Sequence, residues 1–167
     1  MSKRNLKKYL KELPKEELEE QVMELYNTFK EVKTYYNFVF NPKEEKLLDD
    51  ALFKIKKEYF PVSSRKPKMR RSVAQKLIKH YLQLGVDINI IAEIMVYNVE
   101  IAQQYRANKY ISAESFYKSM LKSFEEAIVF VDRNGLEPNF NERLTQIKQN
   151  AINQDWINKW DFEDIVT

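Results

Sequence analysis

The stretch that decides the fold is Ile88–Ala107, INIIAEIMVYNVEIAQQYRA. Its apolar residues fall on nearly every side of a helix, whereas a surface helix shows a single apolar stripe. The stretch follows Gly85 and Asp87, which are suited to end one helix in a left-handed conformation and to cap the next. We therefore predict a central helix over residues 88–107 that the other elements enclose.

The chain before this helix also has helical periodicity. Apolar residues from Leu18 to Val39 recur at alternating steps of four and three. This spacing predicts one continuous helix over residues 14–40, roughly 40 Å long. A second helix is predicted over residues 42–59, and the short connection between the two is typical of an antiparallel hairpin.

The chain after the central helix is predicted to be helical as well. Ser72 and Ser112 are candidate N-caps for the helices on either side of the central one. A further helix should begin soon after Pro138. The C-terminal segment is predicted to pack onto the body through Trp156 and Trp160.

The composition agrees with an all-helical protein. The chain has only two glycines, whereas β-hairpins use glycine in their tight turns. We predict an all-α fold: residues 1–167 form a single-domain irregular bundle of about seven helices, arranged as successive antiparallel hairpins. No apolar stretch approaches the roughly 20 residues of a membrane span, and the basic N-terminus does not resemble a signal peptide. A cytoplasmic protein without membrane contact is therefore expected.

The residue types that common catalytic sites require are largely missing. Cysteine is absent, and the one histidine, His80, lies close to Lys76 and Lys79, which disfavour the imidazolium that a general base must become. One histidine without cysteine cannot supply the usual zinc sites. Two isolated glycines cannot form a glycine-rich phosphate loop. We predict a non-enzymatic protein with no catalytic residues, cofactor or metal.

A basic segment gives the main functional hypothesis. Residues 61–85 contain seven Lys/Arg and no Asp/Glu, although the net charge of the chain is only +3. Its candidate anion-binding residues are Arg65, Lys66, Lys68, Arg70, Arg71, Lys76 and Lys79. The first five are predicted to lie in a loop over residues 61–71 that connects the N-terminal hairpin to the C-terminal helices. Such a cluster predicts binding of a polyanion, with nucleic acid as the leading candidate.

The alternative is that this charge is neutralised within the fold. Residues 14–60 have a net charge of −3, and their candidate partners for the loop are Glu44, Glu45, Asp49 and Asp50. The protein would then hold a protein partner, or a second copy of itself, through aromatic or C-terminal surfaces. The aromatic run over residues 35–40 is predicted, with Tyr59 and Phe60, to lie near the loop, where its rings either stack on unpaired bases or belong to the core.

Two carboxylates on the central helix give a conditional prediction. Glu93 and Glu100 share one face of it, two turns apart. If that face is enclosed, they require a cationic partner or a metal, because isolated buried charges are costly. If it is open, they form an ordinary polar stripe.

Several motifs also carry a family resemblance. They are Ser2-Lys3-Arg4-x-Leu6-Lys7-Lys8-Tyr9-Leu10, Glu58-Tyr59-Phe60-Pro61, Arg65-Lys66-Pro67-Lys68, Arg71-Ser72-Val73-Ala74-Gln75-Lys76, Leu84-Gly85-Val86-Asp87, Tyr97-Asn98-Val99-Glu100-Ile101-Ala102 and Ser115-Phe116-Tyr117-Lys118-Ser119-Met120. Together they resemble a family of small bacterial proteins known only as a domain of unknown function. The resemblance covers nearly the whole chain and implies a bacterial cytoplasmic protein. It implies no activity, ligand or catalytic residue.

Overall fold

The computed structural model describes residues 2–165, and all regular structure in this range is helical. The helices are α1 (Lys3–Glu12), α2 (Lys15–Thr28), α3 (Lys30–Phe40), α4 (Glu44–Tyr59), α5 (Arg71–Leu84), α6 (Ile88–Asn108), α7 (Glu114–Arg133), α8 (Glu137–Asn153) and α9 (Lys159–Glu163). The all-α class is therefore confirmed. No helix within residues 2–165 combines the length and apolar composition that a membrane span requires.

The chain divides into two compact units at the boundary between Lys43 and Glu44. The first unit contains α1–α3, and none of its described residues is buried. The second contains α4–α9 and the whole of the buried core. Because the boundary falls inside the predicted N-terminal hairpin, that hairpin and the single domain stay predictions.

The prediction of one continuous helix over residues 14–40 is wrong. Phe29 has extended backbone angles, φ −110° and ψ 118°, and separates α2 from α3. Asn27 and Thr28 precede it, and both are weak helix formers whose side chains compete for backbone hydrogen bonds. The Phe29 N–H still donates to the Leu25 carbonyl at 2.9 Å, so the interruption is confined to one residue. This break and the short α9 account for nine helices in residues 2–165 instead of about seven.

The predicted central helix is confirmed. α6 contacts α4, α5, α7 and α8, and its residues Ile94, Val96 and Val99 are completely buried. At the C-terminal end, Trp156 is buried, as predicted, with its ring 5.4 Å from that of Phe162. Trp160 does not pack onto the body, since 60% of it is exposed.

The predicted helix end at Gly85 and the cap at Asp87 are confirmed, whereas the predicted serine caps are wrong. Gly85 has a left-handed conformation, φ +76°, and the Val86 N–H donates to the Tyr81 carbonyl as in a Schellman motif. Asp87 caps α6 through a 2.7 Å hydrogen bond from the Asn89 N–H.

The two serines lie elsewhere. Ser72 lies inside the first turn of α5, because the neighbouring Arg71 is held by α7 and already belongs to the helix. Ser112 precedes the actual cap residue, Ala113, in a segment without regular structure. This segment is fixed from the next helix, where the Tyr117 hydroxyl donates to the Ile111 carbonyl at 2.8 Å. α8 begins at Glu137, so Pro138 lies inside its first turn rather than before it.

Candidate anion-binding cleft

A cleft of about 420 Å³ lies between the C-terminal end of α4 and the loop that follows it. Five cationic side chains line this basic cleft: Lys57, Arg65, Lys66, Lys68 and Arg70. Among the described residues Glu58 is the one carboxylate in the lining, which gives the cleft a formal charge of +4. The basic cleft therefore has a higher positive charge than the whole chain.

The loop is shaped by the backbone of Glu58, one residue before the end of α4. Its carbonyl oxygen accepts hydrogen bonds from the N–H groups of Lys68 and Met69, both at 3.0 Å. Met69 has φ +50°, a left-handed conformation that is uncommon for a residue with a side chain. These contacts fold the loop back onto α4 and bring its cations beside Lys57.

The Glu58 side chain fixes the end of the same loop. Its carboxylate accepts hydrogen bonds from Arg70 Nε at 2.9 Å, from the second guanidinium nitrogen at 2.7 Å and from the Arg70 N–H at 3.3 Å. The side-chain hydrogen bonds from Arg70 lower the pKa of Glu58 below its usual value, although burial raises it. Glu58 is thus ionised at neutral pH and holds Arg70 in place.

Arg71 belongs to the fold rather than to the basic cleft. Its Nε donates to Ser123 Oγ at 2.8 Å, and its guanidinium pairs with Glu126 at 2.6 Å. Both partners are on α7, and Ser123 is buried. Arg71 therefore joins the start of α5 to α7.

The structure brings together four of the seven predicted anion-binding residues. Arg65, Lys66 and Lys68 are exposed and form no ion pair with any residue from 2 to 165, whereas Arg70 is paired with Glu58. Lys76 and Lys79 are exposed on α5 but do not line the basic cleft. Their proposed extension of the anion track stays a prediction.

The acidic partners predicted for the loop do not pair with it in the described part of the chain. Those residues were Glu44, Glu45, Asp49 and Asp50, and the actual partners are Glu58 and Glu126. Neutralisation within the fold is therefore partial.

Sequence reasoning missed Lys57 and Glu58 as members of the basic cleft. Both lie in the segment 14–60, whose net charge is negative although it has three lysines close together at residues 54–57. A count over single helical turns would have shown this local basic group. The role of Glu58 has no comparable local signal, since its partners come ten to twelve residues later.

A second cavity, of about 330 Å³, lies at the same loop, and we call it the aromatic cleft. Phe60 and Tyr105 line it with their ring centroids 5.6 Å apart in an edge-to-face arrangement. Tyr59 also lines it but is buried, and its hydroxyl contacts the Met120 sulfur. The core interpretation thus holds for Tyr59, whereas Phe60 is only half-buried. It is wrong for the run over residues 35–40, where no residue is buried and Tyr35 and Phe40 are exposed.

The conditional prediction for the central helix is resolved by Arg143 on α8. Its guanidinium donates to Glu100 at 2.7 and 2.8 Å and to both oxygens of Glu93. Each of the three side chains is about one-third exposed. The cationic partner that the two carboxylates require is therefore Arg143 rather than a metal. This ion-pair cluster connects α6 to α8. Within residues 2–165, no group of three His, Asp or Glu side chains is arranged to hold a metal ion.

Comparison with known proteins gives a family but no characterised relative. No curated protein and no solved structure is detectably similar to the chain. The sequence model of DUF6155, described as a family of unknown function, matches residues 1–167. The match covers the whole chain, including the basic loop, and agrees with the resemblance found from the motifs. The chain therefore belongs to DUF6155.

Proposed function

We propose that the protein is a non-enzymatic binding protein whose basic cleft binds a polyanion, with nucleic acid as the leading candidate. The observation that carries this proposal is the convergence of unpaired cations on one cavity. Arg65, Lys66 and Lys68 are exposed in its wall and form no ion pair with a described residue. Like charges that converge without partners repel each other, and a bound anion would relieve that repulsion.

The geometry of the loop supports the same function. Glu58 fixes the loop backbone through its carbonyl and the Arg70 side chain through its carboxylate. The cations are thus attached to a held backbone, which reduces the ordering required when a ligand binds. The N-terminus of α5, which carries a partial positive charge, follows directly at Arg71 and has no side-chain cap.

The proposal is tested by fluorescence anisotropy with short single- and double-stranded DNA and RNA over a salt series. The test variant is Arg65→Glu, Lys66→Glu, Lys68→Glu. The logarithm of the affinity falls linearly with the logarithm of the salt concentration, and each phosphate contact contributes about 0.7 to 0.9 to this salt slope. Loss of three contacts should therefore reduce the slope by about 2 to 3, with a loss of affinity of at least about tenfold at 100 mM salt.

A matched control separates the basic cleft from general basicity. Lys7→Glu, Lys8→Glu, Lys11→Glu changes the total charge by the same amount on α1, where all three lysines are exposed. This control should keep most of the affinity. Equal losses in the two variants, or no binding to any nucleic acid at low salt, would contradict the proposal.

The N-terminal unit favours a second candidate function, self-association. None of its described residues is buried, and Met23, Phe29 and Phe40 are 55%, 50% and 81% exposed. Within α2, Leu18, Val22 and Leu25 keep the alternating spacing of four and three that is typical of helix-to-helix seams, and the break at Phe29 separates them from the apolar residues of α3.

Sedimentation analysis over a range of protein concentrations tests this second candidate. A dimer would have a mass of twice 20.1 kDa. Leu25→Glu, which places a charge in the apolar seam, should then shift the protein towards the monomer. Thr34→Glu, outside the seam, serves as the control. A wild-type protein that stays monomeric at every concentration would exclude self-association.

A further inference from the structure

The aromatic cleft and the basic cleft are lined in part by the same residues. Pro61, Ser63 and Arg65 contribute to both cavities. One ligand that follows the loop can therefore enter both. The two cavities differ in chemistry, since the first is lined mainly by cations and the second has three aromatic residues in its wall. Tyr59 and Tyr105 are buried, so Phe60 offers the accessible part of the aromatic surface.

From this juxtaposition we propose that the ligand is a single-stranded nucleic acid, whose phosphates lie in the basic cleft while one unpaired base occupies the aromatic cleft. This inference rests on the proposed function, because it specifies the polyanion. Single-stranded nucleic acids are typically bound by a basic groove that follows the backbone and by aromatic side chains on which bases stack. A duplex keeps its bases paired and stacked, so it could use only the basic cleft.

The lining of the aromatic cleft suits a nucleobase. Phe60 is half-buried, which holds its ring while leaving part of it accessible. The Lys109 Nζ lies 5.8 Å from the ring centroid of the buried Tyr105, so the wall of the aromatic cleft also carries a cation. Asn108 donates to the Gln104 carbonyl at 2.9 Å through its amide nitrogen, and its amide oxygen makes no hydrogen bond with a described residue. That oxygen is available to accept an N–H from the edge of a base.

Other polyanions would use less of this surface. Inorganic polyphosphate has the charge but no planar ring for the aromatic cleft. The same holds for an abasic oligonucleotide, which keeps the sugar–phosphate backbone without bases. These two probes therefore separate binding by phosphate from binding by bases.

The experiment compares the anisotropy of a labelled single-stranded oligonucleotide, an abasic oligonucleotide of equal length and a duplex, with polyphosphate as competitor. The wild-type protein should bind the normal single strand ~10-fold more tightly than the abasic strand. Phe60→Leu keeps an apolar side chain but removes the ring. It should reduce the affinity for the normal strand ~5-fold or more and leave that for the abasic strand unchanged.

Trp160→Leu is the matched control, because Trp160 is an exposed aromatic residue of the second unit that lines neither cavity. It should bind all probes like the wild type. The comparison of normal and abasic strands uses the wild-type protein alone, so it remains decisive even if Phe60→Leu fails to fold.

Different results would contradict the single-strand inference and the proposed polyanion binding. Equal affinity for normal and abasic strands, or tighter binding of the duplex, would overturn the single-strand inference while leaving polyanion binding intact. No binding of any probe at low salt would overturn the proposed function itself.

Discussion

Glu58 is expected to stabilise the protein and, in particular, the loop of the basic cleft. Glu58→Gln keeps the size of the side chain but removes the charge that accepts three hydrogen bonds from Arg70. Hydrogen bonds to charged groups contribute about 1.5 to 3 kcal/mol when buried. Half of the Arg70 side chain is exposed, so solvent screening reduces this contribution. We expect a loss of about 1.5 kcal/mol in the free energy of unfolding for Glu58→Gln, or ~3 to 6 °C in Tm for a chain of this size.

The pH dependence of that loss identifies its cause. Arg70 lowers the pKa of Glu58 in the folded state. A carboxylate of this kind contributes its full stabilisation above its unfolded pKa, about 4.3, and loses it as the pH falls through the lower folded value. The difference in Tm between wild type and Glu58→Gln should therefore be full at pH 7 and shrink below about pH 4.

Thermal unfolding followed by circular dichroism at several pH values measures this difference. Glu142→Gln is the control, since Glu142 is exposed on α8 and forms no ion pair with a described residue. It should match the wild type at every pH. Equal Tm losses for Glu58→Gln at pH 7 and pH 3.5, or no loss at pH 7, would refute the assigned role of the Arg70 contact.

Three further variants test other parts of the structure. Arg143→Gln leaves Glu93 and Glu100 without their shared cation and should cost about 2 kcal/mol, seen as a lower midpoint in urea unfolding; an unchanged midpoint would show that the cluster does not stabilise the fold. Arg71→Gln should lower Tm but leave the polyanion affinity of the folded protein unchanged, because Arg71 is held by α7; an affinity loss like that of the Arg65, Lys66 and Lys68 variant would be inconsistent with this assignment. Gly85→Ala should cost about 1 kcal/mol in urea unfolding, since its φ of +76° is unfavourable for alanine. Apart from Gly85 and its two chain neighbours, no described residue has an atom within 4 Å of the added methyl group, so a much larger loss would indicate an unexpected steric clash.

The sequence predicted the fold best where local chemistry decides the structure. The left-handed ending at Gly85 and the cap at Asp87 both depend on residues only a few positions away. The predictions of N-caps at Ser72 and Ser112 are wrong because residues distant in sequence determine where those two helices begin. Arg71 is held by α7, and the segment containing Ser112 is fixed from Tyr117. A propensity for capping is weaker than such tertiary contacts.

The candidate site was predictable in part for the same reason. Consecutive cations such as Arg65 and Lys66 are visible in the sequence, and the loop brings them to one cavity. The difference between Arg70 and Arg71 is not visible there, although the two are adjacent. Arg70 turns back to α4 and Arg71 reaches α7, so their roles depend on which helices pack on either side of the loop.

The low net charge of the chain, +3, does not argue against a polyanion ligand. At physiological ionic strength the Debye length is about 8 Å, so charges beyond that distance are largely screened from a bound phosphate. The charge that acts on a phosphate in the basic cleft is therefore mainly that of the cleft lining, which is formally +4. Because Arg70 is already paired with Glu58, few cations of the cleft remain to contact phosphates and release the counterions of the nucleic acid. Binding should thus be salt-sensitive but with a shallow slope, which distinguishes this site from an extended duplex-binding surface.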